Sequence, residues 1–225
     1  MPVVVGGASS QTPGLRTFSS LKDEVARYVM GPDDTEVLAV AGMGINNALR
    51  RMNLRTWYWM LDYTDITLTA STADYNLPAN FKAARNLWLL DSASAAAGQI
   101  GYLDPKTFDL TYSVQGGTTG SPCAYTVYSF LDTFQLSFNI PCSTAFIASY
   151  PTARLRFHAR TPVLVNNTDT AALPSEAELY VLWYAKFETA MQFDPEKSRT
   201  AKSESEQVWQ MLVRDDNEHH FHDWS

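Results

Sequence analysis

The sequence predicts an α+β fold: a helical bundle formed by N- and C-terminal helices, with a central antiparallel β-rich module, sandwich or barrel-like, set between them. Three observations lead there. An Arg- and Trp-bearing stretch up to Met60 repeats its apolar residues at helical spacing. From Leu61 to Ala153 there is no Glu and only three residues are Lys or Arg, while Thr, Ser, Tyr and Phe are abundant. Helical spacing then returns after Pro174. The expected organisation is a flexible arm at 1–17, helices at 18–60, a β-rich module at 61–165, helices at 173–213 and an acidic, His-rich tail at 214–225.

Each element has a local reason. The first helix is expected near Ser19 or Ser20, either of which can cap, with Asp23 and Glu24 in its first turn. Leu21, Val25, Tyr28 and Val29 share a face, and Gly31-Pro32 stops the helix. A second helix is expected from Asp34 to Met60 on Val37, Leu38, Ala41, Ile45, Ala48, Leu49 and Met52. Gly42 and Gly44 either weaken it or admit a close neighbouring backbone. Trp57, Tyr58 and Trp59 end it, read as a helix end buried under the β module.

In the middle, Ile66 to Thr69 alternates as a strand, and Tyr75-Asn76-Leu77-Pro78 is an extended step into a turn. Phe81 to Leu90 reads as strand or short helix. Ala93 to Ala97 reads as a turn or loop before Gly98. Phe108, Leu110, Tyr112 and Val114 alternate as a strand, and Gly116 to Pro122 breaks it. Further strands are expected at Ala124–Phe130, at Leu136, Phe138 and Ile140, and at Arg154–Arg160. In the last, Leu155, Phe157 and Ala159 take one face and Arg154, Arg156, His158 and Arg160 the other. After Leu173-Pro174, Leu179, Leu182, Trp183, Lys186 and Phe187 form an amphipathic pattern. Asp194-Pro195 breaks it, and a final helix is expected from Glu196 to Val213.

Composition narrows the function classes. The chain has 225 residues, 45% apolar, and only 18% charged, below the usual quarter. Eleven Tyr, eleven Phe and six Trp need burial in a core or against a neighbour. A net charge of −7 argues against wrapping DNA on a broad basic face. Cys123 and Cys142 read as two small buried thiols. No apolar run approaches the 18 residues of a membrane span, and the start lacks the basic and apolar regions of a signal peptide.

No catalytic, cofactor-binding or metal site is assigned. There is no P-loop, and Gly42-Met43-Gly44 follows helical residues, where a dinucleotide fingerprint needs a strand. His219, His220 and His222 with Glu218 and Asp223 form the single metal-like cluster, but at a terminus with little to organise it. Asp33-Asp34 and Asp215-Asp216 read as solvated carboxylates. Candidate interface residues are Arg50, Arg51, Arg55, Trp57, Trp59, Arg154, Arg156, Arg160, His219, His220, His222 and Trp224. For the Arg154/Arg156/Arg160 face three readings stand: contact with an acidic protein surface, a lining for passing nucleic acid, or a solvated sheet face with cross-strand acidic partners.

Taken in order, these segments resemble the head-to-tail adaptor (connector) proteins of tailed bacteriophages, in particular the tail tubular protein A or gatekeeper-type adaptors of short-tailed phages. The resemblance rests on Leu21-Lys22-Asp23-Glu24-Val25, on Ile45-Asn46-Asn47-Ala48-Leu49-Arg50-Arg51 followed by Trp57-Tyr58-Trp59, and on Tyr75 to Phe81. It continues through Gly120-Ser121-Pro122 with Tyr125, Leu155 to Pro162, Asp169-Thr170 and Leu173-Pro174. It covers residues 18 to 212. The Ala-rich Ala93–Gly101 segment and the His-rich tail depart from it. The resemblance implies a virion protein at the neck between capsid portal and tail, without enzymatic activity or cofactor. It implies a homo-oligomeric ring, usually of twelve subunits, with portal above and a tail, nozzle or fibre protein below. Genomic double-stranded DNA would pass through without sequence recognition. The alternatives are another virion module without portal contact, and a ligand- or carbohydrate-binding β domain.

Overall fold

The computed structural model describes residues 16–31, 33–112, 118–131 and 133–222, with backbone alone for 220–222. The chain divides into two compact units. One is discontinuous, built from the segments up to Trp59 and from Thr161 on; the other is continuous, Met60–Arg160. In sequence, N- and C-terminal helices therefore flank a curled, mostly antiparallel sheet, the α+β arrangement expected.

The helical unit holds α1 (Phe18–Val29), α2 (Thr35–Met52), α5 (Ser175–Phe193) and α6 (Pro195–His222). Thr17 caps α1, its hydroxyl accepting from Ser20 N at 3.2 Å. Thr17 is extended because it bridges to Thr170, so the helix starts before Ser19 and the first turn carries no acid. Asp34 caps α2 by accepting from Glu36 N and Val37 N. It is a cap rather than merely a solvated turn residue.

Three expectations for this unit change. α2 ends at Met52, not Met60, because the buried Trp57 turns back and donates its indole N–H to Met52 O at 2.9 Å. A 3-10 turn at Tyr58–Met60 follows. The buried residues of α5 include Ala177, Tyr180, Val181, Ala185 and Thr189, while Leu179 is exposed. α6 does not stop at Val213 but runs to His222, so the expected tail is helical there. Its buried residues Ala201, Ser205, Val208, Leu212 and Asp216 recur at 3–4 residue spacing, and Asp216 is one that a sequence reading leaves in solvent.

Close approach explains one glycine. A Cβ at Gly44 would lie 3.1 Å from Ala185 Cα and 3.3 Å from Ala185 O, so α2 and α5 meet backbone to backbone. Arg16 adds a polar tie, reaching Glu24 at 2.6 Å and Glu178 at 3.2 Å, and Lys186 reaches Glu24 at 2.8 Å.

The β unit is one seven-stranded sheet in the order β1-β7-β3-β4-β5-β6-β2. The strands are β1 (Leu61–Thr67), β2 (Asp74–Asn76), β3 (Phe81–Leu90), β4 (Ala96–Tyr102), β5 (Ala124–Phe130), β6 (Thr133–Phe138) and β7 (Thr152–Ala159). Every pairing is antiparallel except β4 with β5. Leu87, Tyr125, Leu136, Phe138, Leu155 and Phe157 fill the concave side, each at most 1% exposed. Burying a side chain of this size contributes about 1.5–3 kcal/mol, which is what curls the sheet around them.

Here too the sequence reading needs corrections. The alternating Phe108, Leu110 and Tyr112 belong to a helix, α3 (Pro105–Thr111), and its C-cap. Asp104 accepts from Thr107 N at 3.0 Å and Pro105 sits at N1, a start signal that outweighs two-residue alternation. Val114 lies outside the described residues, as do Gly116 and Gly117. A short helix, α4 (Thr144–Ser149), was not expected; Ser143 caps it. Phe81–Leu90 is strand. The Ala-rich segment splits: Asp91 accepts from Ala93 N and Ala95 N to form the turn, then β4 begins at Ala96. β6 ends at Phe138, so Ile140 lies beyond it. Both cysteines are free thiols, and Cys123 is exposed while Cys142 is buried.

Candidate assembly surfaces

α2 and its C-cap grip the returning chain with two asparagines seven residues apart. Asn46 donates Nδ2 to Leu164 O and accepts from Leu164 N, both at 2.9 Å. Asn53 does the same for Thr161, at 2.9 and 2.8 Å. A carboxamide has one donor and one acceptor side, so it pairs with a backbone residue as a neighbouring strand would. The Ile45-Asn46-x-Ala48-x-x-Arg51 pattern now has a physical content. Ile45 and Ala48 are fully buried, Asn46 clamps the return segment, and Arg51 lies over two aromatic rings.

At the C-terminal end of α2 the candidate residues converge. Trp57 is wholly buried, stacked on Trp59 with centroids 4.7 Å apart and packed edge-on against Trp209 at 5.2 Å. Its burial partners are thus α6 and its own neighbour. The Arg51 guanidinium sits 5.3 Å from the Tyr184 centroid and 5.6 Å from that of Trp209. Arg55 lies over Trp57 and donates Nε to Asp216 Oδ2 at 2.8 Å. Asp216, with no solvent exposure, also accepts from Tyr58 N at 2.9 Å. Tyr58 stacks on His219 at 4.0 Å and donates its hydroxyl to Asp215 at 3.1 Å. Burial, then the Asp215 charge, push the Tyr58 phenol up to about 12, so it stays a donor.

Arg51, Arg55, Trp57, Trp59 and His219 are therefore one cluster, tying the 55–59 segment to α6. Arg50 is separate, exposed on the outer side of α2 and donating to Asn47 at 3.2 Å. The side chains of His220 and His222, and all of Trp224, lie outside the described residues. Sequence reasoning missed Asn46, Asn53 and Asp216 as contact-makers. The asparagines carried a signal, a polar pair seven apart, one on α2 and one at its C-cap.

In the β unit, Arg154 and Asp65 face each other across β7 and β1 in a bidentate pair at 2.7 and 2.8 Å, beside Tyr63. This is the cross-strand acidic partner that one of the three readings required. The pairing holds the Asp65 carboxyl below the ordinary carboxylate value. Arg156 is exposed opposite Tyr63, and Arg160 lies over Phe134 at 5.0 Å.

These arrangements bury, brace and present side chains; none pairs a nucleophile with a base. Among the described residues no group of three His, Cys, Asp or Glu is placed to hold a metal ion, and no helix is long and apolar enough to cross a membrane. No curated protein matches the chain. The family model described as SU10 adaptor protein matches residues 16–217, which takes in every described element up to the Asp216 contact. The chain belongs to the SU10 adaptor protein family and is a bacteriophage head-to-tail adaptor, a structural protein of the neck between capsid portal and tail.

Proposed function

We infer that copies of this chain form a closed ring beneath the portal, extending the DNA channel and giving the tail its docking surface. The observation that carries the reading is the discontinuous helical unit. Its two chain segments brace each other: Asn46 and Asn53 hold the return segment, Gly44 admits the α5 backbone, and Arg55 pairs with Asp216 of α6. The β unit, inserted in sequence within the helical one, supplies further surfaces for neighbours. A ring needs two unlike side surfaces on each copy, with others above and below, and multivalency lets each contact be small. The net charge of −7 fits a channel in which DNA slides rather than sticks.

Native mass measurement of the chain with purified portal tests the reading. A mixed assembly with one fixed multiple of this chain per portal ring, twelve by the family resemblance, is the expected result. A chain that stays monomeric with portal present at every salt concentration would count against it.

A further inference from the structure

Two helices of the helical unit each leave one long apolar side chain in solvent. Among the described residues these are Met43 on α2 and Met211 on α6, both 57% exposed. Neither stands alone on its helix face. On α2, the three- and four-residue spacing of a helix puts Ala39, Met43, Asn47 and Arg50 in one stripe. With Phe18 and Lys22 of α1, that stripe lines a recess of about 380 Å³. The return segment, which Asn46 holds against α2, widens the apolar area beside it. Leu164 is buried, and its neighbours Val163 and Val165 are 48% and 75% exposed. Single exposed apolar residues are ordinary on a protein surface; several grouped around a recess mark a contact site.

The two faces carry opposite charge. Lys22 and Arg50 line the recess and no carboxylate does; Glu36, seven residues before Met43, is outside it. Lys22 donates to Asn167 Oδ1 at 2.7 Å and lies over the Phe18 ring, and Arg50 donates to Asn47 Oδ1 at 3.2 Å. Those partners are neutral, and the one acid beside them, Glu188, accepts from the Asn47 amide. On α6, Met211 shares its face with Gln207, Asp215 and Glu218, with Arg214 at the margin. Asp215 and Glu218 are both exposed. Asp215 accepts from the Tyr58 hydroxyl and lies 3.7 Å from His219, and Glu218 makes no ion pair among the described residues. The spacing also matches. Arg50 follows Met43 by seven residues and Glu218 follows Met211 by seven, about 10 Å along either helix.

We propose that the recess between α1 and α2 is an interface between copies of this chain, receiving the Met211 face of α6 from the neighbouring copy. Met211 enters beside Met43, and Asp215 and Glu218 meet Lys22 and Arg50. Charge complementarity selects the occupant, because the chain itself carries the acidic, methionine-centred stripe that the recess fits. A thioether adapts its shape to an irregular gap, and Met and Arg are enriched in protein interfaces. Duplex DNA is a poorer occupant, since phosphate contacts make no use of exposed Met and Val side chains. The contact joins two unlike surfaces of the helical unit, so each copy offers one to either neighbour, as a closing ring requires. The proposal rests on the ring reading above.

Its test uses the full chain assembled on portal, with p-benzoylphenylalanine placed at Met43 and isotopically mixed copies. Photocrosslinks to residues 204–218 of a different copy are expected. The Arg50→Glu variant is expected to keep its melting temperature, because Arg50 is exposed, and to lose about tenfold in the apparent affinity between copies. If no assembly forms with unmodified chain, the ring reading fails and takes this interface with it. If unmodified chain forms the ring but crosslinks run to portal, to other residues of a neighbouring copy or only within one copy, or Arg50→Glu assembles normally, the ring stands and this interface is overturned.

Discussion

Asn46 on α2 and Leu164 on the return segment share two hydrogen bonds, so one side chain satisfies both backbone groups of a residue 118 positions away. Asn53 repeats the contact with Thr161. The return segment enters the helical unit by borrowing a helix's side chains for a missing strand.

Asn46→Ala leaves Leu164 N–H and C=O without these partners. The expected loss is about 1–3 kcal/mol, read as a lower urea midpoint with an unchanged slope. Asn46→Asp restores shape and the acceptor but not the donor, and should recover only part. Equal stability of all three proteins would show the clamp to be incidental.

Asp216 is a buried carboxylate whose oxygens are claimed by Arg55 and Tyr58 N. Asp216→Ala should destabilise by about 1–3 kcal/mol, since it takes the acceptor from Tyr58 N and from the half-buried Arg55. The same variant should make the last turns of α6 exchange amide hydrogens faster, while the β unit keeps its protection. Uniform loss of protection across both units would mean that the pair does not act locally.

The glycine pair on α2 offers a contrast. Ala is favoured over Gly in a helix interior by about 1 kcal/mol at either position. At Gly42 the new methyl meets the ends of the Phe18 and Lys22 side chains, at 3.1 and 3.2 Å, which can shift. At Gly44 it meets the Ala185 backbone, which cannot without moving α5. Gly44→Ala is expected to be less stable than Gly42→Ala, by about 1–2 kcal/mol in thermal or urea unfolding. The reverse order would contradict the backbone contact.

Acid should weaken the fold through two named carboxylates. For Glu24, burial alone would raise the pKa; hydrogen bonds from Lys186 and Arg16 overcome it and the net shift is downward. Asp65 is lowered by the hydrogen bonds and charge of Arg154 against a smaller burial effect. Folded values below unfolded ones mean a contribution that is complete above the unfolded values, about 4.3 for Glu and 3.9 for Asp. It is lost as pH falls through the folded values. Stability should therefore be flat from pH 7 to about 5 and fall below about 4. Glu24→Gln should lower the plateau and flatten the acid limb; an unchanged limb would remove Glu24 from the account.

The helices and most strands were legible because their signals are local. β5 matches its expected span, and β7 falls within one or two residues of its own, where apolar and polar residues alternate without ambiguity. Phe108, Leu110 and Tyr112 misled because three aromatic and aliphatic residues at spacing two also fit one turn of helix; the Asp104-Pro105 start was the better guide. α6 past Arg214 was not legible. Its burial depends on Arg55, 161 residues earlier, and nothing near Asp216 announces that partner. Trp57 was legible as aromatic and worth burying, but not as packed against Trp209 within the helical unit.

A cryo-EM reconstruction of the assembled neck tests the central claim most directly. The account predicts a ring of this chain directly below the portal, its lumen continuous with the portal channel, each copy showing the helical unit closed by α1, α2, α5 and α6. A neck in which this chain is absent, or present as isolated copies that enclose no channel, would contradict it.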